Sequence, residues 1–414
     1  MNARTNLPSY THSYPFIWIV VLGLLAALGP LSIDMYLPAL TVIAQDLSVP
    51  TAWVASSIPA YFMGLVVGQL IYGPISDRIG RKLPLYVGLA LFSVASLLCA
   101  VASSIDMLMI ARVIQALGGC VGVVIARAAI RDCLSPAESA QAYSLLILVV
   151  GVAPILAPMF GSAMLSLTGW RGIFYSLALI GIISIVLIHY YFAETLPVAA
   201  RRQLNLSQVF TTYWDLLKDH RFRTPALAGG FLIAAMFSYI SSATELFVQH
   251  FGMSPHGFSW LFGINAAGLI FLSQVNGRLV KKLGLLTLLH IGACMQVFGV
   301  VLLLLLALSG HNTVFSTMLG LFFVVSAIGF TSPNAMAIAL SSQGHRAGMA
   351  SALLGAIQFA LGLLAGLAVN MLPFALALSM SVVMLVVVSA GSVAVLVLRW
   401  RERRLLSPVP PPEL

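Results

Sequence analysis

Charge is what this chain has least of. Charged residues fill 8% of its 414 positions and hydrophobic ones 60%, with a mean hydropathy of +1.02, so too little polar surface is available to cover a water-soluble body of this size. Acids are scarcer than bases, 12 against 21. The four cysteines, Cys99, Cys120, Cys133 and Cys294, fall at no metal-ligand spacing and are expected as free thiols. The eight histidines are scattered in the same way, so no metal and no cofactor is expected. A phosphate-binding loop of the Gly-x-x-x-x-Gly-Lys-Ser/Thr kind is missing, which excludes an ATP-driven pump. Neither a nucleophile with its base nor His-Glu-x-x-His occurs in the apolar runs, which argues against an intramembrane enzyme. No cleavable leader is expected, because the first apolar run is long enough to cross and stay.

What is present is a series of apolar runs, each near the roughly 20 residues that a helix needs to span hydrocarbon. They lie at 16–40, 52–73, 83–103, 105–127, 142–166, 171–192, 225–249, 257–279, 284–309, 313–340, 347–370 and 374–399. The runs are uniformly apolar rather than alternating, so they predict an all-α membrane protein of twelve spans and disfavour a barrel. With both termini on the cytoplasmic side, all of the 21 bases except Arg112 and Arg171 fall on the inner face or in its tails. That asymmetry is the positive-inside pattern, and it makes the net charge of +9 a signature of membrane sidedness rather than of nucleic-acid binding. Trp18, Trp214 and Trp400 at inner boundaries, and Trp53, Trp170 and Trp260 at outer ones, are expected as interfacial anchors.

The longest hydrophilic stretch divides the spans six and six. It gives an N-terminal bundle over 1–193, a linker over 194–224 whose Val209 to Leu217 segment is amphipathic, a C-terminal bundle over 225–400 and a tail over 401–414. The halves resemble each other. Gly73-Pro-Ile-Ser-Asp77-Arg78-Ile-Gly80-Arg81-Lys82 has a degraded counterpart ending at Gly284, which predicts two pseudo-symmetric repeats.

Those residues carry a family resemblance. The Gly73 to Lys82 loop resembles the loop signature of the major facilitator superfamily, and Arg112-Val-Ile-Gln115 resembles its Arg-x-x-Gln element. Asp34-Met-Tyr-Leu-Pro-Ala-Leu40, Ser332-Pro-Asn-Ala335 and Ala347-Gly-Met-Ala-Ser-Ala-Leu353 are similar to the bicyclomycin-resistance (Bcr/CflA) branch of drug:proton antiporters. The resemblance implies two six-helix bundles that rock around a central site in a bacterial inner membrane. It also implies a monomer whose partners are lipid, protons and a small-molecule drug. Bicyclomycin-like and chloramphenicol-like antibiotics are candidate cargo, and export of a cell-made amino acid derivative or siderophore is the alternative.

Candidate site residues follow from cost. An ionised side chain inside a span costs several kcal/mol facing lipid, so those present mark function. Asp34 and Arg112 both fall roughly 10 Å below the predicted outer surface at 1.5 Å rise per residue. They are expected to form a pair or a water-bridged network, with Asp34 carrying the proton, Arg112 tuning it and Gln115 one turn along. Glu245 is read as lying nearer the outer mouth, where it could be a second proton site, a hook for a cationic drug or a solvated acid. Tyr36, Tyr61, Phe237 and Tyr239, with Gln115, are expected to line a greasy substrate cavity.

Gly73, Asp77, Arg78, Gly80 and Arg81, with Arg131 as a partner for Asp77, read either as a latch between the halves, which the resemblance implies, or as a charged turn. Gly151, Pro154, Pro158 and Gly161 resemble the antiporter motif of drug exporters, with alanine before each proline where that pattern favours glycine. Pairs of glycines four apart, at Gly64 and Gly68, Gly118 and Gly122, and Gly362 and Gly366, predict close helix packing.

Overall fold

The computed structural model describes residues 16–134, 136–201, 206–343 and 346–406. Arg4, Arg202 and the tail beyond residue 406 lie outside the described residues. Among the described residues twelve helices are long and apolar enough to cross a membrane: α1 Ile17–Asp46, α2 Thr51–Ile79, α3 Lys82–Ala100, α4 Ile105–Cys133, α5 Val149–Thr168, α6 Trp170–Tyr191, α7 His220–His250, α8 Pro255–Leu283, α9 Leu285–Ser309, α10 Val314–Ser341, α11 Gly348–Met371 and α12 Leu376–Glu402. The number and order match the apolar runs. Several helices extend past them because polar end turns remain helical: α4 runs on through Arg131, and α8 through Lys281 and Lys282.

Glycine sets the closest approaches within each half. A Cβ on Gly64 would stand 2.3 Å from the Val113 carbonyl oxygen of α4, and one on Gly122 would stand 2.1 Å from the Leu25 carbonyl oxygen of α1. Backbone therefore meets backbone, as small-residue spacing permits. In the second half, Gly362 lies against the Phe237 ring and Gly366 against Ser241.

Two spans are irregular. Helix α1 stops at Asp34, turns through Met35 and Tyr36, makes a short 3₁₀ segment over Leu37–Ala39 and resumes at Leu40. Pro38 has no N–H to donate, so continuous helical bonding is lost here. Helix α7 ends in a π-helical turn over Glu245–His250, a form often found at functional sites.

The linker helix, Leu206–Lys218, buries Leu216, and its Tyr213 hydroxyl donates to the Leu70 carbonyl of α2 at 3.1 Å. Phe210 and Trp214, on its other side, are exposed.

The halves meet along α2 with α11, α5 with α8, and α1 with α7. At the end rich in arginine, Gly73 faces Ala352, Gln69 faces Gly355, and the Arg131 guanidinium packs on Gly348. In the middle, the Phe62 ring lies 4.5 Å from Phe237 and 6.1 Å from Phe359. At the far end Thr244 Oγ1 donates to the Leu37 carbonyl at 2.7 Å, Asn370 Nδ2 to Ser56 Oγ at 3.4 Å, and Gln249 to Thr51. On the α5 and α8 side, Ser162 and His256 Nδ1 are 2.9 Å apart, and Ser259 Oγ donates to the Pro158 carbonyl at 3.0 Å.

Candidate functional site

The break in α1 organises the site. Tyr36 N–H bonds to Ile33 O at 3.3 Å instead of continuing the i−4 ladder to Ser32, which leaves the Ser32 carbonyl free to accept from outside the helix. Arg112 Nη1 takes that carbonyl at 3.0 Å, and at 2.6 Å it donates also to Gln115 Oε1. Gln115 Nε2 passes the network to Ser96 Oγ at 2.7 Å, which bonds in turn to the Phe92 carbonyl.

Arg112 is completely buried, and its Nε and Nη2 have no hydrogen-bond partner among the described residues. Aromatic faces hold the charge instead. Its guanidinium carbon lies 4.3 Å from the Tyr61 ring centroid, 4.7 Å from Tyr36 and 5.9 Å from Phe174. Tyr36 is fixed by its hydroxyl, 2.8 Å from Ser57 Oγ.

This arrangement corrects two expectations. Among the described residues Asp34 and Arg112 make no ion pair, although they share a level, because the guanidinium is engaged by the Ser32 carbonyl and Gln115 instead. Tyr36 and Tyr61 box the arginine inside the first half, Gln115 is bonded to it, and all three are fully buried, so none is open to a cavity in this conformation.

Asp34 is 4% exposed and faces the second half, within electrostatic reach of Tyr239. No hydrogen bond or ion pair to its carboxyl occurs among the described residues. Tyr239 stacks on Phe262 at 5.7 Å, and its hydroxyl accepts from Asn265 Nδ2 at 3.3 Å. Asn265 Oδ1 and Ser241 Oγ are buried without partners among the described residues. The site thus divides into an arginine cluster in the first half and an acid facing a polar, aromatic wall in the second. Phe237 belongs to the aromatic contact between the halves.

Glu245 starts the π turn of α7, half-buried, and its carboxyl makes no hydrogen bond among the described residues. Its neighbour Thr244 bonds to Leu37, three residues beyond Asp34, so Glu245 lies on the far side of the acid as seen from the arginine-rich end. Gly161 packs on the Met35 carbonyl freed by the break, with 2.0 Å left for a Cβ. Pro158 offers its carbonyl to α8, and Gly151 faces Ile270. The proline motif therefore lies between the α1 break and the second half.

At the arginine-rich end Asp77 pairs with Arg81, not with Arg131, because the turn at Gly80 that ends α2 brings Arg81, at the start of α3, back beside Asp77, where it is buried. Arg81 Nη1 is 2.6 Å from Asp77 and Nε 2.9 Å from Asp132, and Nη1 also donates to Ser76 Oγ at 2.7 Å. The ion pairs of Asp77 lie within the first half. Arg78 is exposed, and Arg131 reaches α11 and stands 3.7 Å from Asp132.

Glu194 was not singled out from sequence. Its oxygens accept from the Arg81 and Lys82 N–H groups at 2.8 and 3.1 Å, capping the start of α3. Partial burial opposes its charge, but the N–H groups of Arg81, Leu196 and Lys82, together with Arg201, outweigh it and hold the carboxyl below its ordinary value of 4.5. Gly80 makes the fit possible with φ at +97°, where its missing Cβ leaves room for the Glu194 carboxylate. The signals for Glu194 and Asp132 were present, each being an acid in a stretch otherwise rich in bases. Ser96, Phe174 and Asn265 gave no sequence signal.

A polytopic helical protein with a buried acid between two bundles is the architecture of a membrane carrier. The comparisons agree: residues 22–367 match the Major Facilitator Superfamily, and the chain belongs to it. It is 38% identical over 344 residues to the uncharacterized MFS-type transporter YdgK of Bacillus subtilis, covering 83% of this chain and 85% of that protein. It is 30% identical over 351 residues to a bicyclomycin resistance protein homolog of Haemophilus influenzae, covering 85% and 88%. The resemblance thus extends to the bicyclomycin-resistance branch. Among solved structures the D-xylose-proton symporter superposes with a TM-score of 0.73 over 93% of this chain and 97% of that one, at 17% identity, a likeness of fold.

Proposed function

We propose that this chain exports small amphipathic drugs across a bacterial inner membrane in exchange for protons, by alternating access, with both termini cytoplasmic. The observation that carries the reading is Asp34, a buried carboxyl at a helix break that faces the opposite half with no counter-charge among the described residues. A buried acid without a fixed partner gains or loses its proton as its surroundings change, whereas a permanently paired one is held ionised. A proton entering from the outer side neutralises Asp34 and releases cargo. The halves then rock, and the proton leaves inward.

Arg112 acts through α1: its bond to the Ser32 carbonyl holds the helix break, and its fixed positive charge sets the local field. The far-end bonds Thr244 to Leu37 and Asn370 to Ser56 are the ones to part on outward opening, and the contacts of Gly73, Arg131 and Tyr213 on inward opening. Asp77, Arg78, Gly80 and Arg81 shape the first-half side of that inner closure. The bicyclomycin-resistance relative supports drug cargo, and export of an amino acid derivative or siderophore is the second reading.

Efflux from inverted vesicles over a drug panel, with and without a collapsed pH gradient, tests the assignment. Asp34→Asn is expected to lose gradient-driven efflux and keep drug binding, and Arg112→Ala to impair both. Full proton-driven efflux by Asp34→Asn refutes the proton role.

A further inference from the structure

At the arginine-rich end of the second half, the ends of α7, α8, α9, α10 and α12 surround a cavity of about 980 Å³. We propose that it is a site for one anionic phospholipid of the adjoining leaflet, with the phosphodiester held at Arg221 and Arg401 and an acyl chain along Val280, Leu286 and Leu398.

Three observations converge. First, neither guanidinium is in ion-pair contact with a carboxylate among the described residues, and Asp219, the acid next to Arg221, is engaged as a helix cap and by Gln343 at 2.7 Å. With Glu402 as the acid in the lining, two arginines leave one net positive charge, which matches the single negative charge of a phosphodiester better than a multiply charged soluble anion. Second, α9 starts after Gly284 with no side-chain cap, so the N–H groups of its first turn, in residues that line the cavity, have no intrahelical acceptor. Third, the wall is apolar and continues outward: Leu283 and Leu285 line the cavity and are 45% and 36% exposed. A ligand that covers them must bring its own hydrocarbon, which a lipid does and a free phosphate does not.

The test is lipid binding to the detergent-purified full chain, followed by native mass spectrometry with phosphatidylglycerol, phosphatidylcholine or inorganic phosphate added. Wild type is expected to hold one phosphatidylglycerol in preference to phosphatidylcholine. R221Q/R401Q is expected to hold it about 10- to 100-fold more weakly, the loss that follows from removing charge-assisted hydrogen bonds. L286W, which keeps both arginines and fills the apolar wall, is expected to show a comparable loss, and an unchanged melting midpoint without lipid establishes that each variant is folded. R278Q/K281Q, bases of the same face outside the cavity, is expected to bind as wild type does. Unchanged binding in both cavity variants, an equal loss in R278Q/K281Q, or equal displacement by inorganic phosphate overturns the site.

Discussion

Arg81→Gln is expected to be the most damaging single change at the arginine-rich end of the first half. The Arg81 side chain is 2% exposed and serves two carboxylates and a hydroxyl at once. The two acids differ in what they can recover. Asp77 is 35% exposed and regains water when the arginine is lost, so its share stays within the roughly 0–1 kcal/mol of a surface pair. Asp132 is 12% exposed and cannot, and Arg131, 3.7 Å away and itself 47% exposed, is a weak replacement. Leaving such a buried charge unmatched costs about 3–5 kcal/mol. Arg81→Lys should fall between wild type and Arg81→Gln, since one ammonium cannot span both carboxylates as the guanidinium fork does. If Asp132 is the source of the loss, adding Asp132→Asn to Arg81→Gln should recover part of it, with a coupling energy of about 1–3 kcal/mol. Denaturant unfolding of the detergent-purified protein, followed by far-ultraviolet circular dichroism, reads all four. Arg81→Gln within about 1 kcal/mol of wild type, or strict additivity with Asp132→Asn, would refute the account.

Two further outcomes are expected. Gly122→Ala forces a Cβ to 2.1 Å from the Leu25 carbonyl oxygen, backbone that cannot swing aside, and should cost about 1–3 kcal/mol or more by thermal unfolding, whereas Gly29→Ala, with nothing within 4 Å, should be neutral or slightly stabilising. Glu194 has a folded pKa below its unfolded one, so its contribution is fully present above the ordinary glutamate range and fades as pH falls through the lowered value. The melting-temperature gap between wild type and Glu194→Gln should therefore be widest near neutral pH and close on acidification, and a gap that widens in acid contradicts the capping role.

The twelve spans were legible in the sequence because the bilayer imposes one length and one polarity on every crossing, and that rule acts locally. The glycine pairs were legible for a related reason: spacing of four puts both on one helix face, and absence of a side chain permits contact whatever the partner. The loop motif could be found but not resolved, since a row of charges near a boundary does not say which acid takes which base. Arg81, not Arg131, takes Asp77 because the tight turn at Gly80 between α2 and α3 folds it back beside that acid, where it is buried.

Asp34 and Arg112 stood out by cost alone, as charges in hydrocarbon, and depth counting put them at one level. Which way each points was decided by tertiary structure. The break at Met35 and Tyr36 frees the Ser32 carbonyl for Arg112, while the Asp34 side chain lies within electrostatic reach of Tyr239 in the other half. Sequence determines how many times the chain crosses and which residues are too costly to be incidental. Partners among them depend on helix rotation and on contacts between residues some 80 to 200 positions apart, such as Arg112 with Ser32 and Thr244 with Leu37, and only the packed bundle fixes those.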